Sequence, residues 1–169
     1  MEPATRHYLR PEGRGIKLHL GCGDYWFNGF INVDHIKYGG TDMVWDIRQS
    51  MPFLPEVVER IEAYEVLEHF NRLEVQDLLV EWMRLLIPEG TVKISVPDMD
   101  GLIEKYTQDK EETLKMIYGY EDNPGHKWGY TKESLKELFK ENGFKNIVVT
   151  QGSMPERSTE PQLFLECHK

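Results

Sequence analysis

Cysteine, long apolar runs and net positive charge are all in short supply in this chain of 169 residues. Its two cysteines, Cys22 and Cys167, are too few for a disulfide framework and match no zinc-binding spacing. That argues against a small secreted scaffold, and reduced thiols fit a cytoplasmic protein, the localisation expected here. No stretch reaches the ~18 consecutive apolar residues that cross a bilayer, and residues 1–14 hold no apolar run of signal-peptide length. No membrane association is expected. Lys and Arg number 20 against 29 Asp and Glu, a net charge of −9. Phosphate backbones are repelled on average, which disfavours nucleic acid as a partner. Internal repeats, low-complexity tracts and long linkers are lacking too. A single domain over 1–169 is expected, with 1–15 as an N-terminal segment.

What the sequence does contain is alternation. Residues 16–20, 30–34, 42–45, 61–65 and 91–96 are short runs rich in apolar or β-branched residues, bounded by Gly, Pro or polar residues, and read as strands. The central ones are expected to be buried on both faces. Between the fourth and fifth, Asn71 with Glu74 forms a helix-capping pair, and Val75, Leu78, Leu79, Trp82, Leu85 and Leu86 follow at helical spacing until Pro88 and Gly90. Further on, Thr131 caps a helix with Leu135, Leu138 and Phe139 on one face, ended by Asn142 and Gly143. Strands at 146–150 and 162–167 close the chain with no helix between them, so the last strand runs antiparallel. The pattern predicts an α/β fold, a mostly parallel sheet with helices on both faces.

Ligands of such sheets bind beyond the carboxyl ends of the strands. The first strand runs into Gly21, Cys22 and Gly23, where missing Cβ atoms let backbone approach a ligand. The next three end near Asp34, Asp46 and Glu65, carboxylates suited to ribose hydroxyls, an adenine amine and the amino group of an amino acid. A dinucleotide loop fits less well. Trp26 stands where its third glycine is required, and Asp34 follows Gly21 too soon compared with the spacing of about 20 residues.

The runs KLHLGCG, INVDH, VWDIRQSMPF, YEVLEHF, MRLLIPEGTVKISVPD and HKWGYTKESLKELFKENGF, in that order, resemble the class I S-adenosylmethionine-dependent methyltransferases, most of all a group of compact bacterial enzymes. The resemblance implies a Rossmann-like fold with a seven-stranded sheet of order 3-2-1-4-5-7-6, strand 7 antiparallel. It implies S-adenosylmethionine as cofactor, with Gly21, Cys22 and Gly23 under its amino-acid portion and Asp34 on its ribose. His35 and Ile36 would flank the adenine, Asp46 and Ile47 would meet its edge, and Glu65 and Val66 would lie near the sulfonium. One departure stands out: only Gly21 to Gly29 join the first two strands, shorter than the crossover of about a dozen residues that usually carries a helix. A helix N-terminus for the cofactor's carboxylate is then missing, and Arg48, Lys17 or Arg6, Arg10 and Arg14 are the alternative cations.

Methyl transfer from a sulfonium requires no metal or covalent enzyme intermediate, so positioning dominates. Candidate proton acceptors are Glu68 and His69 after the fourth strand, Asp98 and Asp100 after the fifth, and His126. His69 and His126 are the foremost catalytic candidates. Residues 99–130 form the expected substrate-side insertion, with Asp98, Tyr106 and Trp128 as substrate contacts and Leu102, Met116, Ile117, Tyr118 and Tyr120 as further lining. The expected reaction is methylation of a small cytoplasmic acceptor, a hydroxyl or amine, for instance on a sugar or secondary metabolite. A non-catalytic cofactor-binding module and an aminopropyl transferase on the same scaffold are the competing readings.

Overall fold

A computed structural model describes residues 15–120, 123–154 and 156–169. Strands β1 (Ile16–Leu20), β2 (Ile31–Asp34), β3 (Met43–Val44) and β4 (Val58–Tyr64) come first. A short 3-10 turn at Leu67–His69 leads to α1 (Arg72–Leu85), β5 (Leu86–Pro97), α2 (Met99–Gln108) and α3 (Lys110–Tyr118). A small hairpin, β6 (Gly119–Tyr120) and β7 (Asn123–Pro124), precedes α4 (Lys132–Glu141), β8 (Lys145–Met154) and β9 (Ser158–His168). Seven strands form one sheet in the order β3-β2-β1-β4-β5-β9-β8. β3 to β5 pair in parallel, whereas β9 is antiparallel to both β5 and β8. This is the predicted 3-2-1-4-5-7-6 arrangement with its seventh strand reversed.

The helix ends follow the predicted chemistry. Asn71 accepts hydrogen bonds from Leu73 N and Glu74 N, and Glu74 reaches back to Asn71 N at 2.9 Å, so α1 opens on a complete capping box. Thr131 and Ser134 cap α4 in the same way, and Gly143, at φ 89°, lets the chain turn out of it. One boundary moves. Leu86, read as the last residue of the helical stripe, adopts φ −67°, ψ 137° and pairs with Val58 instead. Pro88, which has no N–H to give a helix, makes the preceding residues extended.

The connections β1–β2, β2–β3 and β3–β4 contain turns and no helix, which extends the expected shortening of the first crossover to all three. The sheet is also less symmetric than expected. Strand register puts Ile16, Leu18, Leu20, Val33, Ile61, Ala63, Val92, Ile94, Val96, Leu163, Leu165 and Cys167 on one face. There they join Leu79 and Trp82 of α1 and Leu135 and Phe139 of α4 in a single core. The opposite face presents Lys17, His19, Asn32, Glu62, Tyr64, Lys93, Ser95 and Glu166. His19, Asn32, Glu62 and Ser95 are buried, so the central strands are covered on both faces, but one of the two covers is polar.

Candidate functional site

β2, β1 and β4 are consecutive and parallel, so the segments that follow them meet at one edge of the sheet. Gly21 and Gly23 have φ of 64° and 52°, conformations glycine adopts without penalty. Space is short at Gly21 as well: a Cβ there would come within 2.5 Å of Val66 Cγ2. At Gly23 nothing lies within 4 Å of that position, so the turn faces open space. Cys22 between them is buried, its thiol 3.7 Å from Thr41 Oγ1, and burial raises its pKa; this is an inert packing residue.

Asp34 is buried at the end of β2 and ties the two strand ends together. Its Oδ2 accepts from Gly23 N at 2.9 Å, its Oδ1 from Ile36 N at 3.0 Å, and His35 Nδ1 lies 3.0 Å from the same Oδ1. His35 and Ile36 are exposed beside it. Asp46 is held by Arg48, whose Nε and Nη2 contact both carboxylate oxygens at 2.7–3.0 Å; that guanidinium keeps the carboxyl below its usual range. Arg48 is thereby committed to Asp46. Ile47 belongs to the core. Lys17 pairs with Glu59 near the start of β1 and β4, at the other end of the strands from the glycine turn. Arg6, Arg10 and Arg14 lie outside the described residues.

Glu65 follows β4 with φ 57°, a left-handed conformation that few side chains other than Asn or Asp adopt. Burial raises its carboxyl, moderated by Gln162, Ser158 and Ser95 beside it, and its Oε1 makes no hydrogen bond among the described residues. Arg157, from the β8–β9 hairpin, is a neighbouring positive charge. Its guanidinium lies over the rings of Tyr25, Phe27 and Tyr64 at 4.5, 5.3 and 5.1 Å. The Tyr25 hydroxyl donates to the Glu156 carbonyl, fastening this hairpin to the loop after β1.

Next to Glu65 stands a second group. Glu68, His69 and His126 bring their ligand-type atoms within 4.8 Å of one another, and the two imidazoles meet edge to face with centroids 5.4 Å apart. The approach is built by the backbone. Lys127 N and Trp128 N donate to the Glu68 carbonyl at 2.7 and 3.2 Å, and His126 N donates to Ile117 O at 2.8 Å. Glu68 is 1 % exposed, and neither of its carboxylate oxygens has a hydrogen-bond partner among the described residues. Burial, with the Glu65 carboxylate as the next cause, raises it well above the ordinary range. Burial also lowers both imidazoles, aided by Lys127 at His69 and by His69 at His126, the latter to about 4. Both rings are therefore neutral near pH 7.

The foremost catalytic candidates, distant in sequence, thus sit together, and Trp128 joins them with Arg72 over its ring at 5.4 Å. Asp98 and Tyr106 do not. Asp98 is buried as the N-cap of α2, with Oδ1 accepting from Asp100 N and Oδ2 from Gln151 Nε2 at 2.7 Å, and Tyr106 is exposed on α2 beside Lys110. Sequence reasoning missed Arg157, Glu160, Gln162 and Ser95. All but Ser95 come from the final strand or its turn; the resemblance placed that strand beside the fifth, but no local pattern shows which of its side chains reach Glu65.

A cleft of about 550 Å³ opens elsewhere, among Tyr64, Lys93, Val148, Phe164 and Glu166 on the polar face rather than over the glycine turn.

No protein-family model matches the sequence, and no curated protein matches it either. Solved structures do. An S-adenosylmethionine-dependent methyltransferase from Archaeoglobus fulgidus superposes with a TM-score of 0.66 at 15% identity, over 93% of this chain and 87% of that one. One from Methanosarcina mazei gives 0.66 at 14% identity, over 90% and 91%. The 1,6-didemethyltoxoflavin-N1-methyltransferase of Burkholderia thailandensis, solved with 1,6-didemethyltoxoflavin and S-adenosylhomocysteine, gives 0.66 at 16% identity, over 93% and 72%. The chain therefore has the Rossmann-like fold of these methyltransferases.

Proposed function

We propose that the protein is an S-adenosylmethionine-dependent methyltransferase acting on a small acceptor. The observation that carries this reading is the flanking of the Gly21–Gly23 turn by the carboxylates of Asp34 and Glu65, on strands either side of β1. Open space at Gly23 and the unpartnered Glu65 Oε1 fit a nucleoside joined to an amino acid. The cofactor, when bound, supplies a methyl group on a sulfonium, an already activated leaving group.

The residues of the chain do the rest by placement. Asp34 keeps lone pairs beyond those given to Gly23 and Ile36 and accepts from the ribose. His35 and Ile36 cover one side of the adenine, and Asp46 meets its edge together with the backbone of Ile47, whose side chain stays in the core. Glu65 takes the amino group, and Arg157, caged by aromatics beside it, answers the carboxylate, a role sequence reasoning offered to Arg48, Lys17 or Arg6, Arg10 and Arg14. The acceptor approaches past Trp128 toward Glu68, His69 and His126, where its proton is handled. A hydroxyl or amine on a small molecule suits this half-buried corner, and the net charge of −9 disfavours nucleic acid.

Titration calorimetry with S-adenosylhomocysteine tests the reading. The wild type is expected to bind, and Asp34→Asn to bind at least ~10-fold more weakly, about 1.4 kcal/mol. Absence of any binding heat in the wild type overturns it.

A further inference from the structure

No metal is expected from the sequence, because its cysteines match no metal spacing and methyl transfer needs none. Side chains that only the fold brings together change that expectation. Glu68, His69 and His126 offer one carboxylate and two imidazoles whose donor atoms lie within 4.8 Å of one another. The carboxylate is the telling member. Glu68 is buried, and both of its oxygens lack a hydrogen-bond partner among the described residues, although a buried polar group left unmatched is costly. Backbone hydrogen bonds from Lys127 and Trp128 to the Glu68 carbonyl hold the His126 loop at this spot. The cation of that loop, Lys127, places its Nζ 3.7 Å from Glu74 Oε2, and its charge is still felt at His69.

We propose that Glu68, His69 and His126 form a binding site for a divalent transition cation of the Zn²⁺ or Co²⁺ kind. Two nitrogens and one oxygen are the donor set that such borderline ions take, and three protein ligands leave a coordination position open. Ligand distances of about 2.0–2.2 Å require the three donors to draw slightly closer than they stand, a movement that rotation of the half-buried rings provides. The dication would also answer the negative charge gathered by Glu68, Glu65 and Glu160.

Resting on the methyltransferase reading, the open position names the acceptor class. A hydroxyl held there would lose its proton more readily than a free one, whereas an amine held there would give up the lone pair it needs for attack. The acceptor is then an alcohol or phenol rather than an amine.

The experiment uses the untagged full chain, stripped with a chelator and titrated with Co²⁺ by absorbance and Zn²⁺ by calorimetry. Expected are one-to-one uptake, ligand-field bands of a low-coordinate nitrogen and oxygen site, and a rise in Tm with Zn²⁺. His126→Ala and His69→Ala each weaken uptake at least ~10-fold, comparable to the loss seen even for outer-shell partners. These variants avoid disturbing the buried Glu68, and Glu68→Gln, nearly isosteric, provides the third arm. Substoichiometric uptake by the wild type, or uptake indifferent to both histidine changes, overturns the site. S-adenosylhomocysteine is titrated into the same stripped protein. Binding of it without histidine-dependent Co²⁺ uptake overturns the metal site and leaves the methyltransferase reading. Histidine-dependent uptake without it does the reverse.

Discussion

The two faces of the sheet are stabilised by different physics. On one, Leu18, Ile61, Val92 and Cys167 lie side by side under α1 and α4, and removal of apolar surface from water provides the driving force. On the other, pairs replace packing. Lys17 meets Glu59, Arg60 meets Glu62, Lys93 meets Glu166, and His19 Nδ1 lies 3.1 Å from Asn32 Oδ1. The loop after β1 covers part of this face, Phe27 stacking on the His19 ring at 4.1 Å. The helix-free crossovers and this polar cover go together: with no helix between β1 and β4, turns and side chains take over the task. Stability should therefore reside on the apolar face, and sensitivity to conditions on the polar one.

Trp82→Ala tests the first half. Trp82 is 1 % exposed in the last turn of α1, and its truncation should cost ~3–5 kcal/mol, read as a lower midpoint of denaturant unfolding. A cost below ~1 kcal/mol would mean that the helical face is not where the fold is held.

His19 tests the second half through pH. Burial lowers its pKa to about 4, with Arg157 adding to the effect and Asn32, Glu62 and Asp34 opposing it, against 6.5 in the unfolded chain. As pH falls below 6.5 the unfolded chain binds the proton first. Stability is then whole above that value, declines between 6.5 and 4, and is lower by on the order of 3 kcal/mol at pH 4. His19→Phe keeps a ring against Phe27 and removes the titration. Its unfolding free energy should fall less steeply across that interval than that of the wild type; equal slopes would assign the acid sensitivity to other groups.

Lys93→Met should have the smallest effect. The pair with Glu166 is 2.8 Å long, but its side chains are 34% and 48% exposed, so the change in unfolding free energy should stay within ~1 kcal/mol. A larger loss would show that the ion pairs of this face act as a network.

The apolar face was plain in the sequence, since its strands, the Asn71–Glu74 capping box and the Thr131 cap are local patterns. The polar face was not. Val58, Glu59 and Arg60 belong to β4 but precede the predicted start at residue 61, because charges alternating along a strand look like a loop. β8 and β9 were likewise expected to be shorter than they are, since Gly152, Ser153 and Glu160 carry no strand signal. The convergence of Gly21, Asp34 and Glu65 at one edge of the sheet was legible because strand ends announce themselves in sequence. The meeting of His69 with His126, and the reach of Arg157 to Glu65, depend on the path of the chain after β5, for which sequence spacing offers no guide.

The backbone at Glu65 has a consequence of its own. Its φ of 57° costs an ordinary residue roughly 1–2 kcal/mol, and a glycine would sit there at ease but carry no anion. Heat tolerance and ligand capture thus pull this one position toward different residues. On the proposed reading, Glu65→Gly would relax the backbone and remove the anion in a single change.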